Sequence, residues 1–345
     1  MNSNRPVIPE GLDRNAAALA VRDDEQGPSG RSSTPSTVFG AFWCSVGIAL
    51  FPEASVLSSA LVAFGAAVVV GSGTRRTQAL ALLTAIAVGS VAAYLLFGVR
   101  ALPMTVISAL GACAIGWGYV TGRLHAGGLL LASAVLGGAG AGIDSVLASM
   151  HGSSITSLLT ESVNKVVEMN EASADLDSMT AVLWARDAFL AYWPTMYFVV
   201  GLGNVLCATY GARKGVQVMR LREDAGLLTS YDVPLWLIVV FVLGVVIELL
   251  GPHLPAWQET SAMVGANVVA CARVALGLQG IAVLLWWMKE RRASGFAKAL
   301  AVIVAVWLEL SFALASIAGL MDVVANFRSL ERKRPSLNLG PAKER

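Results

Sequence analysis

The chain has 345 residues and a formal net charge of +2, with 56% hydrophobic and only 14% charged residues. Soluble domains carry about 25% charged residues, so this composition excludes an ordinary soluble protein and indicates that lipid is the main solvent. The small net charge and the lack of a basic stripe interleaved with aromatic residues argue against nucleic-acid binding. The cysteines are far apart and show no CxxC spacing, so the sequence supports neither a zinc site nor a disulfide framework: Cys44, Cys113, Cys207 and Cys271.

The first 36 residues are polar and rich in Ser, Pro and Gly, which predicts a disordered tail rather than a secretory signal peptide. Apolar runs follow, and most of them are long enough to cross a bilayer core of about 30 Å. They lie at about 38–51, 54–71, 77–98, 103–120, 128–150, 189–210, 233–251, 261–288 and 296–322. The sequence therefore predicts an all-α fold, a polytopic transmembrane helical bundle of about eight or nine spans.

The runs divide the chain into five regions. Between the tail 1–36 and the basic C-terminal tail 326–345 lie a first bundle part 37–150, of about five spans, and a second part 189–325, of about four. The connection 151–188 separates the two parts. Its apolar residues recur at helical spacing with charged residues between them, which predicts an amphipathic helix on the extracytoplasmic surface. That helix is either a solvated connector or a lid over a substrate.

Lysine and arginine are concentrated in alternate loops, which predicts that those loops are cytoplasmic. These loops contain Arg75-Arg76, Arg123, the run from Arg213 to Arg222, and Lys289 to Lys298. With nine spans the amino terminus is cytoplasmic, in the plasma membrane. The same count places the basic C-terminal tail outside, against its charge. Either the tail is exported despite its charge or one segment is wrongly assigned as a span, and both alternatives stay open.

Small residues at a spacing of four predict close packing between helices. The pairs are Gly118 and Gly122, Gly138 and Gly142, and Ala63 and Ala67. The glycine-rich run around Gly138 lies inside an apolar stretch. It therefore lacks the strand and the water-accessible N–H groups that a phosphate-binding loop needs.

Charged residues inside apolar segments are the strongest functional signal, because burying them costs a few kcal/mol. Arg273 and Glu309 lie at similar separations from the turn near Arg292, so the terminal helical hairpin brings them to the same depth. Asp144 and Asn267 lie in the same half of the bilayer. The four residues are the candidate ligand-binding set, lining a polar pocket open to the outside. A structural ion-pair network is the alternative.

From about Phe189 onward the chain resembles the YybS-like family of bacterial membrane proteins. The residues that carry the resemblance are Trp193-Pro194, Arg213-Lys214, Asn267, the stretch Leu278 to Val283, Gly319 to Asp322, and Asn326-Phe327-Arg328. The resemblance implies a transporter-like helical bundle. In layout it is similar to the substrate-binding S subunits of energy-coupling-factor vitamin transporters, which have six spans, and more distantly to the rod-shape membrane protein of cell-wall elongation.

Two functions follow from these observations. The first is a transporter-type membrane subunit that binds a small solute and relies on a membrane partner for energy, since the sequence has no nucleotide-binding motif. The second is a membrane scaffold that recruits cell-envelope or division proteins without binding a solute. No Ser-His-Asp, HExxH or P-loop pattern is present, so we expect no enzyme activity, no catalytic residues, no metal site and no cofactor.

Overall fold

The computed structural model describes residues 34–171, 176–221, 231–253 and 258–330. Within these ranges it contains α-helices, two short 3₁₀ segments and no strand. The helices are α1 (Thr34–Leu50), α2 (Ser55–Ser72), α3 (Arg75–Phe97), α4 (Leu102–Val120), α5 (Ala126–Met150), α6 (Ile155–Glu171), α7 (Leu176–Val218), α8 (Trp236–Leu250), α9 (Gln258–Glu290), α10 (Gly295–Phe312) and α11 (Leu314–Ala325). The predicted amino-terminal tail, except its last three residues, and most of the basic C-terminal tail lie outside the described ranges.

The helices are those of a multi-pass membrane protein, which confirms the predicted fold class. Seven are long and apolar enough to cross a bilayer, namely α2, α3, α4, α5, α7, α9 and α10. The shorter apolar helices are α1, α8 and α11. Large apolar side chains are exposed along the outer faces, among them Leu95, Phe296 and Leu310. Such surfaces need a hydrocarbon solvent.

Small residues let α2 sit at the centre of the first half of the bundle. Ala63 and Ala67 are fully buried. A Cβ added at Gly116 of α4 would meet the backbone of Ala63, and one added at Gly215 of α7 would meet Ala67. Gly65 has the same relationship with α1, where it faces the backbone of Cys44. Backbone-to-backbone contact of this kind is how helices associate in lipid.

The predicted glycine pairs have other roles. Gly122 lies in the turn after α4 with φ +68°, a conformation that favours glycine, and Gly118 accepts hydrogen bonds from that turn. Gly138 and Gly142 face open space, because an added Cβ at either would have no neighbour within 4 Å. Packing between α5 and α7 instead depends on Gly137, whose added Cβ would collide with the backbone of Tyr197.

The amphipathic helix predicted in the connection 151–188 is α6, which packs against α5 and α7. On the polar face of α6, Lys165 donates a hydrogen bond to Glu161 at 2.7 Å. This bond lowers the pKa of Glu161 and raises the pKa of Lys165. The second helical stretch expected there is the beginning of α7, a helix of 43 residues that continues into the bundle.

The last apolar run, 296–322, is two helices rather than one. The chain reverses at Ala313, which has φ +56° between α10 and α11. Ser316 of α11 lies beside Arg273, and Asp322 lies beside Gln279, so α11 runs in the same direction as α9. Since α10 is antiparallel to α9, α11 returns toward the end of the bundle at which α10 began.

Candidate functional site

Two cavities lined by described residues lie along α5, and the larger of them has a volume of about 810 Å³. Four helices surround it: α5 with Leu130, Leu131, Ala134, Gly137, Gly138 and Ala141; α7 with Trp193, Pro194, Tyr197 and Phe198; α8 with Trp236, Leu237 and Val240; and α9 with Thr260, Met263, Val264, Asn267, Val268, Cys271 and Ala272. Its size is that of a pocket for a small organic molecule. Its walls are almost entirely apolar.

Asn267 is the most polar side chain in that wall, and its amide forms hydrogen bonds within the protein. The helix α7 is kinked at Tyr192, two residues before Pro194. The Asn267 amide accepts a hydrogen bond from Thr195 N at 3.0 Å and donates one to the Ala191 carbonyl at 2.9 Å. An unbroken helix would pair those two groups with each other.

Further bonds complete the set: Thr195 Oγ1 donates to Asn267 Oδ1 at 2.7 Å, and Nδ2 donates to the Met263 carbonyl. An amide side chain has two donors and two acceptor lone pairs, so Asn267 has no capacity left for a solute. Its role is to repair the kinked helix. The cavity therefore offers a ligand mainly apolar contact.

The smaller cavity, of about 360 Å³, continues along α5 toward α6. It is lined by Arg100, Asp144, Leu147, Ala148, His151, Ile155, Leu158, Leu159, Ser162 and Tyr197. Its lining contains charges of both signs, Arg100 and Asp144, whereas none of the described residues that line the larger cavity is charged. The apolar residues of α6 form one wall.

Tyr197 belongs to both cavities. Its hydroxyl donates a hydrogen bond to Asp144 Oδ2 in the smaller cavity. Its ring packs edge-on against Trp193 in the wall of the larger one, with the ring centroids 5.9 Å apart. This side chain thus forms the boundary between an apolar and a charged compartment.

Arg273 and Glu309 form the predicted pair, with 3.4 Å between Arg273 Nη2 and Glu309 Oε1. Glu309 also accepts a hydrogen bond from Ser316 N at 2.7 Å, in the first turn of α11, and lies 2.6 Å from Ser316 Oγ. A carboxylate at a helix N-terminus satisfies free N–H groups there. The pair therefore stabilises the reversal at Ala313. The Arg273 side chain is 44% exposed, so the pair is only partly buried.

A buried polar cluster lies nearer the other end of α9. Gln279 donates hydrogen bonds to Asp322 at 2.8 Å and to Asp232 at 3.2 Å, and its Oε1 accepts one from Val233 N at 3.0 Å. Arg328 pairs with Asp322 at 2.9 Å and donates to the Tyr231 carbonyl at 2.7 Å. The cluster ties the chain after α11 to α9 and to the segment before α8.

Neither a scan of protein-family models nor searches of curated proteins and of solved structures found a match to this chain. The resemblance to the YybS-like family stays a prediction. Six of the residues that carry it lie together in two places: Trp193, Pro194 and Asn267 at the kink of α7, and Gln279, Asp322 and Arg328 in the buried cluster.

The four candidate ligand residues do not share one cavity. Asn267 lines the larger cavity and Asp144 the smaller one, while Arg273 and Glu309 line neither. The structure adds Tyr197, Arg100 and His151, which no sequence pattern singled out. Each is an isolated residue at a segment end or in an aromatic-rich stretch, and only the folded bundle brings them to Asp144. Among the described residues, no group of His, Cys, Asp and Glu could hold a metal ion.

Proposed function

We propose that the chain is a transporter-type membrane subunit that binds a small, largely apolar solute in the larger cavity. The observation that carries the proposal is the cavity itself, about 810 Å³ between four helices, in which the one amide side chain is fully hydrogen-bonded to the protein. A ligand there gains from apolar contact and finds few polar partners. A hydrocarbon chain or another apolar body fits this environment.

An interrupted helix beside the cavity supports a role in transport. Transporter sites typically lie near the bilayer midplane, where helices are discontinuous. Here α7 is kinked at Tyr192, and the next two residues, Trp193 and Pro194, line the cavity. We assign the energy source to a separate membrane partner, because the sequence has no P-loop.

We place the smaller cavity at the extracytoplasmic end and the turn near Arg292 at the cytoplasmic end of the plasma membrane. The basic loops support this orientation. The return of α11 supports it too, because it brings the chain back toward the end that has the turn near Arg292, so that the basic tail follows the charge rule. The conflict in the sequence-based span count disappears when the last apolar run, 296–322, begins and ends on the same side of the membrane.

The test is a cavity-filling substitution with a matched control. Gly138 lines the cavity, and a Cβ added there has no neighbour within 4 Å, so we expect Gly138→Leu to place its four side-chain carbons in the ligand's space. Gly142 lies one turn further along the same helix, has equal room, and lines neither cavity. We expect Gly138→Leu to weaken binding of a nitroxide-labelled single-chain amphiphile about tenfold or more, measured by quenching of tryptophan fluorescence in neutral detergent.

The control Gly142→Leu should bind like the parent protein. Equal binding by both variants and the parent protein would exclude the larger cavity as the site. Thermal unfolding of both variants in the same detergent checks that each remains folded.

A scaffold function is the second candidate, and the surface of α6 favours it. Met169 is 76% exposed and Val166 is also exposed on this amphipathic helix. A partner protein could cover these apolar groups. The scaffold predicts that Met169→Glu abolishes copurification of a membrane partner while Gly138→Leu leaves it unchanged. The solute-binding function predicts the reverse pattern in the quenching assay.

A further inference from the structure

The two cavities are neighbours along one helix and share one side chain. The larger cavity uses α5 residues from Leu130 to Ala141, and the smaller one uses residues from Asp144 to His151. Tyr197 is in the wall of both. A single molecule with an apolar tail and a polar head would therefore find an apolar compartment followed by a charged one.

We propose that the smaller cavity binds the head group of a zwitterionic amphiphile whose chain occupies the larger cavity. This inference rests on the proposed function and adds the class of ligand to it. The charged head, rather than the chain, then determines which amphiphile is selected.

Charge complementarity favours a head group that carries both signs. Arg100 and Asp144 line the same small cavity, yet no ion pair within 4.0 Å joins them among the described residues. Two opposite charges that share a cavity without neutralising each other are each available to a ligand. An anionic group on Arg100 and a cationic group on Asp144 would satisfy both.

Tyr197 and His151 add contacts to the cationic and anionic parts of the head group. Tyr197 donates its proton to Asp144, so the phenolic oxygen still accepts a hydrogen bond from an ammonium placed beside the carboxylate. On the other side, His151 Nδ1 lies 2.9 Å from the Leu147 carbonyl, which leaves Nε2 to contact the ligand. A phosphate between Arg100 and His151 and an ammonium beside Asp144 describe a phosphoethanolamine-like head.

The wall from α6 strengthens the charge contacts. Ile155, Leu158 and Leu159 face the cavity. Apolar side chains close to a charge pair lower the local dielectric constant, so each contact with the head group is stronger than it would be in open water. The helix predicted to be either a connector or a lid thus has a defined role as one side of the head-group cavity.

The experiment compares three probes that have the same acyl chain and different head groups. Three nitroxide-labelled probes are titrated into the purified protein in neutral detergent: lysophosphatidylethanolamine, which is zwitterionic, lysophosphatidylglycerol, which is anionic, and an uncharged monoacylglycerol. We expect the zwitterionic probe to bind about tenfold more tightly than the uncharged one, because hydrogen bonds between charged groups are stronger than those between neutral groups. The anionic probe should bind more weakly than the zwitterionic one, because it has no ammonium to contact the Asp144 carboxylate.

Two charge variants identify the residues. Arg100→Gln and Asp144→Asn should each remove most of the preference for the zwitterionic probe and leave binding of the monoacylglycerol unchanged. Arg100→Lys, which keeps the charge, should retain more of the preference than Arg100→Gln. Lys165→Gln and Glu168→Gln remove charges from α6 that line neither cavity, and both should behave like the parent protein.

The outcomes separate this inference from the function on which it rests. Equal affinity for the three heads, combined with a loss of binding in Gly138→Leu, would overturn the head-group site and keep the apolar cavity. The tightest binding by the anionic probe would also overturn it. No binding of any probe beyond that of the Gly138→Leu variant would overturn the proposed function as well.

Discussion

Arg328 and Asp322 form an ion pair in which both side chains are completely buried, with 2.9 Å between Arg328 Nη2 and Asp322 Oδ2. Removing two charges from water is costly unless hydrogen bonds satisfy what remains of each group. Gln279 supplies one of these bonds to Asp322, and the Tyr231 carbonyl accepts one from Arg328. The pair therefore fastens the end of α11 to α9 and to the segment before α8.

Breaking this pair should destabilise the bundle strongly. Arg328→Gln leaves the Asp322 carboxylate buried without its cation, and we expect the free energy of unfolding to fall by about 3–5 kcal/mol. Thermal unfolding in detergent measures the change. Arg291→Gln is the control, because Arg291 is an exposed residue that stacks on Trp287.

The double variant Asp322→Leu/Arg328→Met tests the cause. It removes both charges together, so it should be more stable than Arg328→Gln. A double variant that is less stable than the single one would show that something other than the loss of the Arg328 charge beside Asp322 produces the destabilisation.

The return of α11 predicts the side of the membrane on which the C-terminal tail lies. A reporter fused after residue 345 should be on the same side as one inserted at residues 293–294, between α9 and α10, and opposite to one inserted at Gly152. Green fluorescent protein should fluoresce at the first two positions, and alkaline phosphatase should be active only at Gly152. Phosphatase activity at residue 345 would mean that the last apolar run crosses the bilayer completely.

The sequence predicted the membrane fold because a lipid solvent imposes long apolar runs that can be read without tertiary information. It also predicted the contact between Arg273 and Glu309, since a hairpin fixes depth by counting residues from a turn. It did not predict the break at Ala313. Alanine is a strong helix former, and the reversal depends on Glu309 reaching the N–H of Ser316, a contact that only the folded chain creates.

The buried polar cluster and the cavities could not be predicted from the sequence for a related reason. Gln279 was visible as an isolated polar residue in an apolar helix, but its partner Asp322 lies on another helix and Arg328 lies beyond it. Tyr197 had no distinguishing pattern at all. Hydropathy shows how deep a residue lies, whereas its direction around the helix depends on which helices become neighbours.

The cysteines should differ in reactivity. Cys44 and Cys113 are buried where α1 meets α4, with 3.9 Å between their sulfur atoms, while Cys207 and Cys271 are partly accessible. In folded, detergent-solubilised protein, N-ethylmaleimide should label Cys207 and Cys271 at least several-fold faster than Cys44 and Cys113. Mass spectrometry of peptides measures each rate, and unfolding in dodecyl sulfate should bring the four rates close together. Rapid labelling of Cys44 in the folded protein would contradict the packing of α1.

The kink of α7 predicts that substitutions at Asn267 and Pro194 do not change the free energy of unfolding independently. Asn267→Leu removes the amide that serves Thr195 N and the Ala191 carbonyl, so one buried N–H and one part-buried carbonyl lose their partner. We expect the free energy of unfolding to fall by about 1–3 kcal/mol. Pro194→Ala restores an N–H and allows the helix to straighten, so that Thr195 N and the Ala191 carbonyl can bond to each other.

In the Pro194→Ala background the cost of Asn267→Leu should therefore shrink to about half or less, which is a coupling within the range measured for neighbouring residues. Asn204 is the matched control, because it is also a buried asparagine, bonded to Ser59 and to the Val200 carbonyl away from the kink. Asn204→Leu should cost the same in the parent protein and in the Pro194→Ala background. Thermal unfolding of all six proteins gives both cycles, and identical costs of Asn267→Leu in the two backgrounds would show that Asn267 does not act by repairing the proline kink.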